Sequence, residues 1–205
     1  MIRLLIILTL LSLLITSSHA SEKINSEAVL SPDGSQIIFI KQIKELKDNP
    51  AGIPEDDGAI VYQHWSPDEI WVMDSQSKEE KVLVKSHYGA NAKENRGWFS
   101  DLNYSPDGKK IYYVCQPGSP TTHAIRSVNS DGTEDKWITW GESVDVIGGN
   151  ESDEYFGSLI IERKAEDGAY DVYSLMTPEG AEIMIVEDIK RWLQENDIEI
   201  AGYKQ

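Results

Sequence analysis

One four-residue phrase occurs twice in this chain, each time directly before a run of β-forming residues. Ser31-Pro32-Asp33-Gly34 precedes QIIFI, and Ser105-Pro106-Asp107-Gly108 precedes KKIYYV. Proline presets its own φ angle, aspartate bonds nearby backbone N–H groups and glycine accepts a positive φ, so the phrase is typical of a tight turn between antiparallel strands. A hairpin that recurs predicts a chain built from repeated small β-sheets.

Short runs rich in Ile, Val, Tyr and Trp with period-two alternation dominate the rest of the sequence. The predicted strands cover residues 36–41, 59–64, 69–74, 80–85, 110–115, 123–128, 135–140, 155–162, 169–175 and 181–187. A helix is predicted only near the end, where Ile189, Trp192 and Leu193 share one face of EDIKRWLQEN. The sequence therefore predicts an all-β fold with a short C-terminal helix.

A second type of hairpin strengthens the repeat. Residues 70–84, 124–138 and 171–185 align without gaps as strand, polar turn and strand. Together with the first type, they predict four-stranded antiparallel blades recurring about every 50 residues, with three clear repeats and material for about four blades. The third inner hairpin lacks the turn phrase and has a polar loop at residues 150–153. In an alternative register of the repeats, Ser66-Pro67-Asp68-Glu69 is an altered copy of the turn and adds a blade. We prefer the register that repeats about every 50 residues, because it keeps the outer hairpins aligned.

The segments AVLSPDGSQIIFIK, LNYSPDGKKIYYVC and HAIRSVNSDGTEDKWIT resemble the PD40 (WD40-like) repeats of TolB-like β-propellers, which also occur in the propeller domains of prolyl-oligopeptidase-like peptidases. The resemblance covers residues 28–187 and is specific for the repeat, not for a function. It implies a propeller-like fold. Because family propellers usually have six or more blades, it leaves three architectures open: a four-bladed ring, a partial propeller, and half of a ring that another copy completes.

The first twenty residues predict export. Arg3 is followed by an apolar run over residues 4–15 and by Ser18-His19-Ala20, the pattern of a cleavable signal peptide. The run is shorter than the roughly 20 residues of a membrane-spanning helix, although an uncleaved anchor is the alternative. We therefore expect a signal peptide at residues 1–20, one domain at residues 21–205, a periplasmic or secreted location and no membrane span after cleavage. The single cysteine, Cys115, excludes an intrachain disulfide.

The net charge of −16 argues against nucleic acid as a partner, because the phosphate backbone would be repelled. The long loops at residues 42–58, 86–98 and 116–122 are predicted to lie at one end of the blades and to form the binding face. Aromatic, histidine and arginine side chains in or near these loops are the candidate ligand-binding residues: Tyr62, His64, Trp65, His87, Tyr88, Arg96, Trp98 and His123. Such a recess suits a peptide, a protein segment or a glycan.

No cofactor or metal site is predicted. The histidines lack the short spacing of zinc ligands, and residues 129–135, which begin like a calcium loop, are explained as a hairpin turn. No GxSxG motif is present, so no catalytic residue is assigned. Three hypotheses follow: a non-enzymatic binding module, a small hydrolase or lyase using carboxylates in the same recess, and a structural subunit of an oligomeric ring.

Overall fold

The computed structural model describes residues 24–42, 68–87, 90–118, 121–164 and 171–201. These residues form three four-stranded antiparallel sheets and one short helix, α1. Sheet one contains β1 (Ile24–Leu30), β2 (Gln36–Gln42), β3 (Asp68–Asp74) and β4 (Glu80–Lys85). Sheet two contains β5 (Ser100–Tyr104), β6 (Lys110–Cys115), β7 (Ala124–Asn129) and β8 (Lys136–Trp140). Sheet three contains β9 (Ser143–Val146), β10 (Leu159–Lys164), β11 (Asp171–Met176) and β12 (Glu182–Val186), and α1 spans Ile189–Glu195.

Within each sheet the strands lie in chain order, so every connection joins neighbours. Between sheets, the first strands contact one another, β5 lying against both β1 and β9. The three sheets are thus arranged as successive blades with β1, β5 and β9 innermost, which is the propeller-like architecture that the repeats predict.

Both copies of the turn phrase form the expected hairpin. Asp33 Oδ1 accepts hydrogen bonds from the Ser31 hydroxyl at 2.7 Å and from the Ser35 backbone N–H at 3.0 Å, and Gly34 has a φ of 76°. The second copy repeats this geometry, because the Ser105 hydroxyl donates to Asp107 Oδ1 at 2.7 Å. These bonds lower the pKa of Asp33 to about 2, with the Ser31 hydroxyl as the largest cause.

Apolar side chains fill the space between successive sheets. Ile38 and Ile70 of sheet one pack with Ile111 and Tyr113 of sheet two, and Phe99 meets the Tyr113 ring edge to face at 5.5 Å. A second cluster joins sheets two and three: Tyr112, Val114, Ile125, Val144, Val146, Leu159, Ile161 and Met176. Burial on both faces of sheet two explains why β6 is almost continuously apolar in sequence and why five of the six residues of β7 are buried.

The helix near the C-terminus forms where the sequence predicts it. Asp188 caps it by accepting a hydrogen bond from the Arg191 backbone N–H at 3.1 Å. Ile189, Trp192 and Leu193 pack against the outer face of sheet three, the face turned away from sheet two.

Several sequence-based boundaries need correction. The strand predicted at residues 155–162 begins only at Leu159, because residues 150–157 form consecutive turns that end at Gly157, with a φ of 76°. Strand β9 was not predicted, since its four residues are too short for a clear alternation. Asp68 and Glu69 belong to β3 rather than to an inner turn. The predicted strand at 59–64 lies outside the described residues, which form three sheets, as the three clear repeats predict.

Candidate functional site

The links between strands fall on two opposite rims. The hairpin turns at residues 31–35, 75–79, 105–109, 130–135, 147–158 and 177–181 share one rim, which we call the turn rim. The links at residues 86–99, 116–123 and 141–142 lie at the other ends of the strands, and we call this the loop rim.

No helix within the described ranges is both long and apolar enough to span a membrane.

Backbone contacts join the described links of the loop rim. The Gln116 N–H donates to the Gly97 carbonyl at 2.8 Å, and the Asn95 side chain donates to the Pro117 carbonyl at 3.1 Å. In the link between sheets two and three, the Glu142 N–H donates to the carbonyl of Glu162 in β10 at 2.8 Å. The prediction that loops 86–98 and 116–122 lie together therefore holds, whereas residues 43–58 of the third predicted loop are outside the described residues.

A histidine held between a carboxylate and an amide is the most organised polar group on the loop rim. His123 Nδ1–H donates to Glu142 Oε2 at 2.6 Å, and Gln116 Nε2–H donates to His123 Nε2 at 3.1 Å. The carboxylate and the amide thus hold the imidazole ring from its two nitrogen atoms. The His123 and Glu142 side chains are 22% and 29% exposed, so a ligand can reach this group, which we call the His123 cluster.

The cluster forms because a very short link joins sheets two and three. Gly141 donates its N–H to the His123 carbonyl at 3.1 Å, which fixes Glu142 beside the imidazole. A Cβ atom at position 141 would lie only 2.4 Å from Ile161 Cγ2 and 3.1 Å from Ile125 Cγ1. Only glycine therefore allows the backbone to approach the core this closely, and this approach sets the position of Glu142.

Carboxylates surround the cluster on the side of sheet three. The Ser143 hydroxyl donates to Glu162 Oε2 at 3.2 Å. Burial raises the pKa of Asp145, and the negative charge of Glu162 raises it further. Lys164 bonds Asp171 at 2.5 Å, and this bond is the largest cause of the raised pKa of Lys164. This part of the rim is therefore predominantly negative.

A second unusual carboxylate lies at the same ends of the strands. Asp68, the first residue of β3, is 5% exposed, and burial raises its pKa to about 6. Among the described residues no hydrogen-bond partner reaches its buried Oδ1 atom, while its backbone carbonyl accepts the Ser86 hydroxyl at 2.6 Å. A buried carboxylate without a bond to this oxygen favours its protonated form.

The structure describes four of the eight predicted site residues, each in a different setting. His123 belongs to the cluster described above. His87 is exposed and pairs with Arg96 through two backbone hydrogen bonds of 2.8 and 2.9 Å. Trp98 is half-buried and has a φ of 51°. Four candidates, Tyr62, His64, Trp65 and Tyr88, lie outside the described residues.

The Nε atom of Arg96 makes contacts within the chain. Its Nε atom donates to the Lys85 carbonyl at 3.0 Å and lies 3.1 Å from Asp135 Oδ2. Asp135 also accepts from Tyr113 Oη at 2.8 Å and from Arg126 Nε at 2.9 Å, and Arg126 is only 4% exposed. Arg96 thus ties the link between sheets one and two to the interior of sheet two, a structural role.

Sequence analysis missed Gln116 and Glu142. The register of β7 with β8 pairs Ala124 with Trp140 and so brings Glu142 close to His123, and this register depends on a shift between Ile125 and Arg126 that the sequence does not mark.

Residues 129–135 form the hairpin turn that the sequence analysis preferred to a calcium loop. Asp131 Oδ1 accepts from the backbone N–H and hydroxyl of Thr133 at 2.8 and 2.6 Å. Across the part of the chain that the structure describes, no three His, Cys, Asp or Glu side chains are grouped as metal ligands.

Comparison with known proteins supports the fold. No family model and no curated protein matches the chain. Among solved structures, an oligogalacturonate lyase in complex with manganese matches with a TM-score of 0.55 at 14% identity, over 84% of this chain and 44% of that one. An oligogalacturonate lyase from Vibrio parahaemolyticus gives 0.54 at 14% identity, over 83% and 44%. The β-propeller domain of the Trilobed protease from Pyrococcus furiosus, described as having an open velcro topology, gives 0.52 at 14%, over 82% and 43%.

These similarities establish the class of fold. Independent propeller proteins superpose on most of this chain, so the three sheets form a β-propeller-like arrangement. The chain spans less than half the length of each of these three structures. At 14% identity the likeness concerns architecture alone.

Proposed function

We propose that this chain is an exported, non-enzymatic binding module of the PD40, TolB-like type that recognises a peptide or protein segment at its loop rim. The His123 cluster carries the proposal. Binding sites on propellers and other rigid scaffolds use loops that a rigid core positions. Here the described loops of one rim are joined by backbone hydrogen bonds, and a half-buried imidazole is held between two side chains.

The bonding of His123 favours recognition over proton transfer. A general base needs an unprotonated ring nitrogen within hydrogen-bond reach of the proton that it removes from the substrate. In His123, Nδ1 donates to Glu142 and Nε2 accepts from Gln116, so both nitrogens are occupied. The exposed edges of Glu142 and Gln116 instead offer fixed oxygen and amide groups, which suit hydrogen bonding to a ligand backbone.

The charge around the cluster selects among ligands. Glu142 bonds His123, Glu162 pairs with Ser143 beside it, Asp145 lies two residues further along β9, and the chain as a whole carries a charge of −16. A peptide carrying Lys or Arg gains from this field, whereas an acidic sugar chain is repelled. We therefore favour a basic peptide segment over a glycan such as an oligogalacturonate.

The second candidate is a small hydrolase or lyase that uses carboxylates at the same rim. Asp68 favours it, because a buried carboxyl with a pKa raised to about 6 has the properties of a general acid. Two solved structures of similar fold are oligogalacturonate lyases, although a likeness at 14% identity concerns architecture only.

Binding to arrayed basic peptides, followed by titration of the strongest binder, tests the proposal. We expect His123→Ala and Glu142→Gln each to weaken that peptide by about tenfold or more, which corresponds to the loss of about 1.4 kcal/mol. Glu154→Gln, an exposed substitution in the turn-rim loop, is the matched control and should leave binding unchanged. Raising the salt concentration should weaken binding to the unaltered chain.

Two outcomes would contradict the binding module. One is a peptide affinity that neither cluster substitution changes. The other is turnover of oligogalacturonate, seen as ultraviolet absorbance from a new double bond and abolished by Asp68→Asn, which would establish the lyase instead.

A further inference from the structure

The outermost strand of each sheet carries a β-bulge at an equivalent position. In β4, β8 and β12 the register with the neighbouring strand shifts by one residue, and the unpaired residues are Leu83, Ile138 and Ile183. A β-bulge opposes two residues of one strand to a single residue of the other, so each of these strands has an extra residue there. The three outer edges are therefore built alike, and what covers each of them can be compared.

The following sheet covers the first two of these bulges. The hairpin turn between β7 and β8 lies against β4, because a Cβ atom at Gly132 would be 3.4 Å from the Leu83 carbonyl oxygen. The turn between β11 and β12 lies against β8 in the same way, since a Cβ atom at Gly180 would be 3.4 Å from the Ile138 carbonyl oxygen. Leu83 is accordingly buried and Ile138 half-buried. Each turn crowds the backbone of the outer edge that it touches.

The bulge of β12 has no such cover. Ile183 is 43% exposed and Ile185 is 60% exposed, and within the described ranges β12 pairs with β11 alone. The residue between them, Met184, is also apolar, whereas β4 has the exposed lysines Lys81 and Lys85. Lysine, proline and covering elements are among the devices that keep a strand edge from pairing with another chain. The edge of β12 is therefore apolar at its centre and open to pairing.

The ends of this edge are acidic. Between Lys164 and Lys190 the sequence has no Lys, Arg or His. Glu179 in the hairpin turn before β12 and Glu187 directly after the strand are both exposed. A strand with basic residues at its two ends is therefore favoured as a partner. Pairing with β12 of a second copy is disfavoured, because it would bring two sets of these carboxylates together.

We propose that the open edge of β12 binds an extended segment of another protein, which adds to sheet three as a further strand. The segment is rich in β-branched residues, which pack beside Ile183 and Ile185, and basic at its ends, which lie beside Glu179 and Glu187. In this mode of recognition main-chain hydrogen bonds supply affinity and side chains supply selectivity. The site is separate from the loop rim and does not depend on the His123 cluster.

The probe is the synthetic peptide KVTVTVK, labelled with a fluorophore and titrated with the unaltered chain. The acidic peptide EVTVTVE is the charge control. KVTVTVK with every internal amide methylated is the backbone control, because it keeps the side chains but cannot donate hydrogen bonds to a strand edge. We expect the probe to bind at least about tenfold more tightly than either control peptide. Hydrogen exchange of the chain should slow at residues 182–186 when the probe binds.

Two variants test the apolar centre of the edge. Ile183→Lys combined with Ile185→Lys gives β12 the charged edge that β4 has, and should weaken the probe by about tenfold or more. Leu30→Lys is the matched control, because Leu30 is 50% exposed but lies on the innermost strand β1. Its affinity for the probe should equal that of the unaltered chain.

Three results would overturn the proposal: no saturable binding of KVTVTVK, equal binding of either control peptide, or slower exchange confined to the loop rim. The last result would assign the probe to the site proposed for the His123 cluster instead of to β12. If the double lysine variant fails to fold, the methylated peptide and the exchange measurement decide, because both use the unaltered chain.

Discussion

Asp135→Asn should be among the most destabilising single substitutions on the polar side of sheet two. Asp135 neutralises Arg126, whose side chain is 5% exposed, through a 2.9 Å hydrogen bond, and lies 3.1 Å from Arg96 Nε. It also accepts the Tyr113 hydroxyl at 2.8 Å. The substitution removes the one carboxylate that the described contacts place between these two guanidinium groups.

The size of the effect follows from burial. Removing one partner of a buried ion pair leaves the other charge without compensation and costs about 3–5 kcal/mol. The asparagine oxygen still accepts one hydrogen bond, so we expect about 3 kcal/mol, a large part of the roughly 5–15 kcal/mol by which a domain is stable.

Urea unfolding followed by tryptophan fluorescence measures this loss as a lower midpoint at an unchanged slope. Glu134→Gln is the matched control, because the neighbouring Glu134 forms an ion pair with Lys136 in which both side chains are more than half exposed. Its midpoint should not move measurably, since exposed pairs contribute little.

Equal midpoints for the two variants would refute the argument that burial of the Arg126–Asp135 pair governs its contribution. A further test adds Arg126→Met to Asp135→Asn. Removing both charges should recover part of the lost stability, because the buried guanidinium of Arg126 is then gone and only the partly exposed Arg96 lacks its carboxylate partner.

Three further predictions concern single positions. Gly141→Ala should lower the free energy of unfolding by about 1–3 kcal/mol, seen as a lower melting temperature, because its Cβ would overlap Ile161. Asp68→Asn should stabilise the protein at pH 7 by about 2 kcal/mol. The folded pKa of Asp68, about 6, lies above its unfolded value, so the unaltered chain loses stability as the pH rises from 4 through 6. The variant does not titrate here, so its advantage should disappear near pH 4. Asp33→Asn should do the reverse, destabilising at neutral pH with a difference that shrinks as pH falls towards 2, the folded pKa of Asp33. Urea unfolding across pH checks both, and parallel pH profiles for variant and unaltered chain would contradict them.

Much of the fold could be predicted because its determinants are local. Each Ser-Pro-Asp-Gly turn is closed by bonds between residues no more than five apart, and Gly34 takes a positive φ within the turn itself. The α1 helix likewise depends on its own Asp188 cap and apolar face. These features depend on residues only a few positions apart in the sequence, so the sequence pattern predicts them correctly.

The candidate site could be predicted only in part. His123 was identified from its place beside a long loop, but its partners were not, because Gln116 and Glu142 are 7 and 19 residues away. A β-bulge between Ile125 and Arg126 shifts the register of β7 with β8 by one residue. Without it, His123 would face a different residue of β8, and no local pattern marks the bulge.

By itself, then, the amino-acid sequence determined the hairpins, the four-stranded repeat and the terminal helix, since these depend on turn chemistry and on the alternation of side chains. The tertiary structure decided which side chains meet: it turned Arg96 inward onto Asp135, placed Glu142 beside His123 and laid α1 over sheet three. The physical reason is that contacts between blades depend on register shifts and close backbone approaches, such as that of Gly141 to Ile161, which are set by packing across the whole fold.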